Sequence, residues 1–485
     1  MMTLLPVFFP VLTGLYLLKT PIKDRKSREK YVFYTLLITL IFTVITNFAF
    51  NDAKITFARF AAGVELAFHI DSVAVLFSTL FAAVWTTVGV FSMEYMKHEG
   101  EENRFFAFFI SSLGGLIGVA YADNLATLYL FFELMSLLSY VLVVHSRTSQ
   151  SLLAGRKYIY YSLFGASLGL IAVFYFYSTG WSTSFTEGGV VPAELGSRMP
   201  AIALCTIMAV IGFGCKGGMF PLHAWLPTAH PQAPAPASSV LSGLITKAGV
   251  IAIIRVIYFT VGVAVLKGTY VQYFLLTLAI VTVFMGSMLA YKEKVLKKRL
   301  AYSTVSQVSY VIFGLMLMNE AGVTGALLQV VFHALAKNVL FLTAGAFIYK
   351  TGKTMVSDLY AMGKSMPKVL VCFTVAGLSL VGVPLTAGFV SKWYLALGAL
   401  QTGSGVIGFV GIATIMVSAL LTGGYLVSVT AKAFFANRAD EVQESFEPNN
   451  YMIVPLAVLT VLIVIFGVFP APVISFVGKI ARSVF

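Results

Sequence analysis

The chain has 485 residues, of which 59% are hydrophobic and only 11% are charged, whereas about 25% are charged in an ordinary soluble domain. So little charge cannot cover the surface of a soluble protein, and so much apolar sequence excludes a disordered chain. Cys205, Cys215 and Cys372 stand in apolar runs without metal-ligand spacing. They exclude a disulfide scaffold and indicate no iron–sulfur cluster, haem, metal site or other cofactor. The composition predicts an all-α polytopic membrane protein.

Fourteen apolar segments are candidates for helices that cross a bilayer, which takes roughly 20 residues. The predicted spans 1–14 cover residues 3–18, 31–50, 71–96, 105–121, 124–145, 157–178, 200–219, 237–263, 269–290, 300–318, 322–349, 367–398, 405–431 and 451–478. The first lacks a basic N-terminal region and a small-residue cleavage site, so we interpret it as a retained span rather than a signal peptide.

Two of these spans contain helix-breaking residues. Span 7 has Gly217 and Gly218 followed by Pro221, and span 12 has Pro384 and Gly388. A bilayer tolerates the freed backbone groups only where protein or water receives them, and paired breaks indicate an ion or substrate path. The five-span interval between the breaks predicts two structural repeats, spans 4–8 and 9–13. The predicted units are spans 1–3 (1–104), the first repeat (105–263), the second repeat (269–431) and span 14 (451–485).

The basic residues alternate between loops. Loops after odd-numbered spans hold 22 of the 33 Lys and Arg residues, whereas loops after even-numbered spans and the C-terminal tail hold six. Because basic loops stay in the cytoplasm, this bias predicts cytoplasmic odd-numbered loops and both termini outside. The net charge of +13 therefore reflects topology, and we expect no nucleic-acid partner.

Five basic residues lie within predicted spans, although placing one at the bilayer centre costs roughly 2.5–3.5 kcal/mol. They are Lys216, Lys247, Arg255, Lys337 and Lys392. Glu133 is the one clear acid within a span, and His333 stands midway along span 11. Lysine, glutamate and histidine can each take up and release a proton, so their chain across apolar spans indicates a proton relay. The alternative for His333 is a hydrogen-bonded core residue.

Helical spacing aligns further polar side chains with these groups, because residues i and i+4 share a helix face. Ser136 follows Glu133 by three residues, and His333 precedes Lys337 by four. Such stripes predict a polar seam inside the bundle, although hydroxyl groups also join helices in lipid without any other role. Eight side chains are predicted to support the relay: His223, His230, Ser136, Ser242, Thr246, Tyr302, Ser306 and Gln307.

Seven short motifs carry a resemblance to a known family. They are residues 132–136 (FELMS), 214–227 (GCKGGMFPLHAWLP), 229–236 (AHPQAPAP), 247–249 (KAG), 298–307 (KRLAYSTVSQ), 332–337 (FHALAK) and 388–392 (GFVSK). With these motifs the chain resembles, over nearly its whole length, the antiporter-like subunits of respiratory complex I, Mrp-type cation/proton antiporters and energy-converting membrane-bound hydrogenases. The sequence MFPLH at 219–223 and the lysine at position 392 are most similar to those of the D-type Mrp subunit and its hydrogenase counterparts.

The resemblance implies fourteen helices with two inverted five-helix repeats and breaks in helices 7 and 12. It implies a subunit without a catalytic site of its own, which moves protons, alone or in exchange for Na⁺, beside other membrane subunits. A redox partner arm or an ion gradient would supply the energy. The implied relay consists of Glu133 paired with Lys216, then Lys247, then His333 with Lys337, and finally Lys392.

Two other functions stay open at this point. A stand-alone secondary transporter of an organic solute is disfavoured because no motif indicates a large-substrate cavity and Arg255 is the one arginine within a span. A passive scaffold for a redox complex predicts that Lys216 and Lys392 can be replaced without loss. Asp71, Glu94 and Asp123 stand near span ends, where headgroups and water can reach them and an interfacial or structural role is the simpler interpretation.

The charge bias makes a testable prediction about topology. In a background that lacks Cys205, Cys215 and Cys372, a cysteine in the loop at 180–200 should react with an impermeant thiol reagent added outside intact cells. A cysteine in the basic loop at 292–299 should be protected, because that loop faces the cytoplasm. Labelling of the second position and protection of the first would reverse the orientation.

Overall fold

The structure is a computed structural model that describes residues 2–60, 64–179, 184–190, 195–402, 405–435 and 446–485. Part of the loop at 180–200 thus lies outside the described residues. Spans 1–6 are the helices Leu5–Lys19, Arg25–Ala49, Ser72–Glu99, Glu102–Tyr121, Leu125–Val143 and Ser149–Ser178. Span 7 is divided into Leu195–Gly217 and Leu226–Gln232, and span 8 is Ala235–Val261. Spans 9–11 are Tyr270–Lys292, Leu296–Met316 and Glu320–Thr351. Span 12 is divided into Pro367–Val381 and Ala387–Leu400, and spans 13 and 14 are Gly405–Phe435 and Asn450–Val468.

The predicted fold class is confirmed. Among the described residues, 12 helices are long and apolar enough to cross a membrane. Span 10, which is richer in polar residues, and span 12, whose two halves have 15 and 14 residues, complete the predicted fourteen. Short helices at Met2–Leu4, Val263–Leu266 and Val356–Leu359, and a C-terminal helix at Ala471–Ser483, add to the spans. An antiparallel hairpin of Lys54–Arg59 with Glu65–His69 was not predicted from the sequence.

Backbone hydrogen bonds show that the loops gather on two opposite faces. The Asp123 amide, in the turn after span 4, donates to the Ala67 carbonyl of the hairpin at 2.9 Å. The Phe185 amide, after span 6, donates to the Asp123 carbonyl at 2.7 Å. On the other face the Leu296 amide, after span 9, donates to the Thr354 carbonyl, after span 11, at 3.0 Å. We call these the even-loop face and the odd-loop face.

The two sets of five spans pack in the same order. Span 4 packs along span 5 as span 9 packs along span 10, and span 6 packs along span 7 as span 11 packs along the second half of span 12. Because five is an odd number and the loops alternate between faces, each span of the second set runs opposite to its counterpart in the first. This is the arrangement expected of two inverted repeats.

In both broken spans the first half is followed directly by a glycine with left-handed backbone. Gly218 has φ of +78° and Gly382 has φ of +90°, a region that glycine occupies without a steric cost. Pro221 and Pro384 follow in the non-helical segments between the halves. The breaks predicted in spans 7 and 12 are therefore present.

Two of the glycines assigned to the breaks lie inside helices. Gly217 is the last residue of the first half of span 7, and Gly388 is the second residue of the second half of span 12. A Cβ atom at Gly388 would overlap the carbonyl oxygen of Ser379 in the first half. Its amide also donates to Ser379 Oγ at 3.1 Å. Gly388 thus lets the two halves of span 12 touch, whereas the break itself comes before it.

A buried ion pair joins span 8 to span 3 near the even-loop face. Arg255 Nη1 and Nη2 donate to Asp71 Oδ2 and Oδ1 at 2.5 and 2.9 Å, and the Arg255 side chain is 0% exposed. The guanidinium lies 4.6 Å from the ring centroid of Phe259 and 5.0 Å from that of Phe185. Asp71 also accepts from the amide of Ala74 at 2.8 Å, capping span 3. Arg255 therefore has a structural role: with Asp71 it joins span 8 to span 3.

Removal of one partner of this pair should destabilise the protein strongly. Arg255→Met leaves a buried carboxylate without its counter-charge, which costs about 3–5 kcal/mol, and a second change, Asp71→Leu, should restore most of the loss. Arg482→Met is the matched control, because it removes an exposed pair with Glu320 worth at most about 1 kcal/mol. Thermal unfolding of the purified protein measures both. Equal melting of Arg255→Met and Arg482→Met would contradict the role assigned to the pair.

Candidate functional site

The two repeats meet at a contact between two fully buried side chains. Lys247 Nζ of span 8 lies 2.6 Å from Nδ1 of His333 of span 11, and both residues are 0% exposed. The ammonium group also donates to the Ser242 carbonyl at 3.1 Å and lies 3.4 Å from Thr246 Oγ1. Span 8 widens into a π-helix at Leu241–Ile245, the kind of irregularity that is frequent at functional sites. His333 Nε2 has no partner within the described part of the chain.

Lys337 lies one turn further along span 11 and faces span 10. Its Nζ donates to the Leu300 carbonyl at 3.0 Å. Thr304 Oγ1 donates to the same carbonyl at 2.9 Å and lies 2.6 Å from Ser242 Oγ. Ser242 also provides the carbonyl for Lys247, so hydroxyl and carbonyl groups join the surroundings of the two lysines.

Lys216 stands at the end of the first half of span 7 and is held by span 6. Its Nζ donates to Tyr158 Oη at 2.8 Å and to Ser162 Oγ at 3.0 Å, and the residue is 1% exposed. The same nitrogen lies 4.4 Å from the ring centroid of Tyr158 and 5.9 Å from that of Trp225. Two hydroxyls and aromatic faces thus surround the ammonium group.

Glu133, the expected partner of Lys216, lies half-buried on span 5. Within the described ranges its carboxylate forms no ion pair at 4.0 Å or less, and Oε1 is buried without a hydrogen-bond partner. Lys216 Nζ lies 5.9 Å from the ring centroid of Phe132, the residue that precedes Glu133. Spans 5 and 7 therefore bring the two groups to the same level without a direct contact.

Lys392 lies in the second half of span 12 and reaches back to the first. Its Nζ donates to the Leu380 carbonyl at 2.5 Å and lies 5.5 Å from the ring centroid of Tyr310. The last carbonyls of a helix have no partner within that helix, so the break in span 12 provides the acceptor for this ammonium group. Lys392 itself is partly exposed.

A row of amide and hydroxyl groups joins spans 10, 11 and 12 beside Lys392. Gln329 Nε2 donates to Gln307 Oε1 at 2.8 Å, and Ser391 Oγ donates to Gln329 Oε1 at 2.6 Å. All three side chains are buried. Gln329 precedes His333 by one helical turn, and Ser391 precedes Lys392. The row therefore lies between the centre of span 11 and the break in span 12.

The two supporting histidines lie apart from these contacts. His230, in the second half of span 7, is fully buried, and its ring centroid lies 4.8 Å from that of Phe341. Neither of its ring nitrogens has a partner in the part of the chain that the structure describes. His223 is half-buried within the break of span 7, where it stacks on Phe220 with ring centroids 5.9 Å apart.

Of three further supporting polar residues, one joins helices. Ser136 donates to the Phe132 carbonyl of its own helix at 2.7 Å, and Tyr302 is half-buried at the edge of the core. Ser306 Oγ lies 2.8 Å from Ser287 Oγ and 3.2 Å from Ser418 Oγ, which joins spans 9, 10 and 13. Within the described ranges no group of three His, Cys, Asp or Glu side chains is placed to hold a metal ion.

Several polar residues of the site were not predicted individually from the sequence, among them Tyr158, Ser162 and Asn338. Tyr158 and Ser162 stand four residues apart on span 6, so the spacing signal was present. Asn338 directly follows Lys337, hydrogen-bonds to Ser239 of span 8, and occupies space that a Cβ atom at Gly243 would fill. In the sequence, the position of Asn338 next to Lys337 was the feature that could have identified it.

Comparisons with known proteins agree with this architecture. The family model described as NADH:quinone oxidoreductase/Mrp antiporter, TM, matches residues 122–422, and the model for the N-terminus of chain 5 of NADH-ubiquinone oxidoreductase (complex I) matches residues 59–106. The N-type subunit of an NADH-quinone oxidoreductase from Desulforudis audaxviator is 33% identical over 85% of this chain and 83% of its own length. The D-type subunit of a Na⁺/H⁺ antiporter from Alkalihalophilus pseudofirmus is 27% identical over 100% of this chain and 97% of its own.

The fold is also shared with a solved structure. A chain of the membrane-bound sulfane sulfur reductase, an archaeal respiratory membrane complex, superposes with a TM-score of 0.87 at 22% identity. The superposition covers 99% of this chain and 97% of that one.

The family model spans well over half of the sequence, and the spans and broken helices have the arrangement described above. The chain is therefore a multi-pass membrane protein that belongs to the NADH:quinone oxidoreductase/Mrp antiporter transmembrane family.

Proposed function

We propose that the chain is a proton-translocating membrane subunit of a multisubunit complex, which moves protons along a row of titratable side chains at mid-membrane. The observation that carries this proposal is the 2.6 Å contact between Lys247 Nζ and His333 Nδ1, which connects the first repeat to the second. A purely structural bundle has no need of titratable groups there, because their burial is costly. Na⁺/H⁺ antiport, the named activity of the relative from Alkalihalophilus pseudofirmus, supports the same conclusion.

The proposed row begins at Glu133 and Lys216, continues through Lys247, His333 and Lys337, and ends at Lys392. A cavity of about 640 Å³ at the odd-loop face, lined in part by Pro227 and Gln232 of the second half of span 7, supports uptake there. The second half of span 12 runs in the opposite sense, from the break to the even-loop face. This supports release through the second repeat at Lys392.

The proposed setting is the inner or plasma membrane of a prokaryote, with the odd-loop face in the cytoplasm and both termini outside. The 22 basic residues in loops after odd-numbered spans, against six on the other side, support this orientation. Other membrane subunits of the complex are the proposed partners. Redox chemistry in a partner or an existing ion gradient would drive transport.

The first test concerns the beginning of the row. Glu133→Ala and Lys216→Ala should each abolish most proton flux in vesicles that contain the whole complex, while assembly stays intact. Tyr158→Phe removes one of the two hydroxyls that hold Lys216, so it should lower flux by about tenfold, since a hydrogen bond to a charged group is worth about 1.5–3 kcal/mol.

Tyr160→Phe is the matched control for this test, because Tyr160 lies on the same span and is 67% exposed. Its flux should equal that of the wild type. Normal flux in both Glu133→Ala and Lys216→Ala, in a correctly assembled complex, would refute a role for this pair and favour a passive scaffold.

The second test concerns the end of the row. Lys392→Ala should block turnover, whereas Lys392→Glu should keep partial flux, because a carboxylate also takes up and releases protons. Lys353→Ala, in the exposed loop after span 11, is the control and should have no effect. The measurement is again proton flux in vesicles with the whole complex. A Lys392→Ala complex that pumps at the wild-type rate would remove span 12 from the path.

A further inference from the structure

A groove at the odd-loop face lies between the start of span 2, the end of span 3 and the start of span 14, and has a volume of about 450 Å³. Lys26 and Lys30 line its outer end. They are four residues apart on the helix Arg25–Ala49, so they share one helix face, and both are exposed. The outer end of the groove therefore carries two positive charges side by side.

The inner end of the same groove is apolar. Phe33 of span 2 lies about 10 Å below Lys26 along the helix axis, at 1.5 Å per residue. Val90 and Met93 of span 3 line the opposite wall, and Met93 stands about 9 Å before the helix end at Glu99. Charge is thus confined to the level of the lipid headgroups, and the groove continues between apolar side chains at the level of the acyl chains.

The two lysines of the groove have no ion-pair partner within the described ranges. Glu29, the acidic residue of the lining, is already paired with Arg25, whose Nε and Nη2 donate to its Oε1 at 2.8 and 2.7 Å. Within the described ranges neither Lys26 nor Lys30 forms an ion pair at 4.0 Å or less. Tyr34 and Tyr451 flank the groove, 56% and 50% exposed. Tyr451, at the start of span 14, is the one of the two that stands near the helix end, where aromatic side chains meet the headgroups in membrane proteins.

We propose that this groove binds one anionic phospholipid, with the phosphate between Lys26 and Lys30 and an acyl chain against Phe33, Val90 and Met93. Basic pockets between membrane helices on the cytoplasmic side attract anionic headgroups, and the apolar inner end selects a lipid over a free anion. The bound lipid would fill the space between spans 2, 3 and 14. The inference rests on the proposed orientation but not on the proton path, because none of these residues belongs to the path.

The test is native mass spectrometry of the full chain in detergent, titrated with phosphatidylglycerol. The wild type should retain one phosphatidylglycerol molecule, and the double variant Lys26→Gln/Lys30→Gln should bind it roughly tenfold more weakly or worse. Lys350→Gln/Lys353→Gln is the matched control, since it removes the same charge from the exposed end of span 11 and the loop that follows it on the same face, and it should bind like the wild type. Phe33→Asn, which places an amide at the inner end, should also weaken retention.

Two further ligands test whether the groove selects an anionic lipid. Phosphatidylethanolamine should be retained much less than phosphatidylglycerol, and inorganic phosphate should neither bind nor compete. Equal retention of the two lipids, equal binding by the Lys26→Gln/Lys30→Gln variant and its control, or binding of inorganic phosphate alone would each overturn the proposal. Thermal unfolding of each variant, compared with the wild type, confirms that a loss of lipid is not a loss of fold.

Discussion

The cost of taking a charge out of water governs the interior of this protein. Each cation within a span has to find an acceptor inside the bundle, and for two of the lysines the acceptor comes from an irregularity in the backbone. Lys392 uses a carbonyl at the break in span 12, and Lys247 uses a carbonyl in the π-helical segment of span 8. Broken and widened helices thus accommodate Lys392 and Lys247, whereas Lys216 relies on two hydroxyl groups and Lys337 on a carbonyl of span 10.

Arg255 shows the other solution to the same problem. Its guanidinium is matched by both carboxylate oxygens of Asp71, so that charge is fixed and permanently paired. The lysines have neutral partners instead: Tyr158 and Ser162 for Lys216, and His333 for Lys247. A neutral partner leaves the lysine free to exist in either protonation state, whereas a carboxylate partner would hold it charged. The kind of partner separates the structural cation from the proposed relay.

The sequence was sufficient to identify the lysines, because a single charge within an apolar span is visible without any knowledge of its neighbours. For Tyr158 and Ser162 the sequence offered only their four-residue spacing, which many hydroxyl pairs in membrane helices share, and the contact with Lys216 is what distinguishes them. Spacing also cannot show whether Glu133 touches Lys216, because side-chain rotamers on two helices decide this. Gly388 looked like a helix break, although glycine in mid-span can equally permit close packing, and here it contacts Ser379.

The number of helices in each repeat has a consequence of its own. Since each unit has five spans, the second unit is turned upside down, and the short second half of span 7 points to one face while that of span 12 points to the other. Both units can thus follow one internal plan and still differ in the compartment to which they are open. Removal of one of the four spans that lie between the two breaks, spans 8–11, would turn both openings towards the same compartment. A proton path that begins and ends on the same side carries no proton across the membrane. Net transport therefore depends on the odd number of spans, five, that separates equivalent positions in the two units.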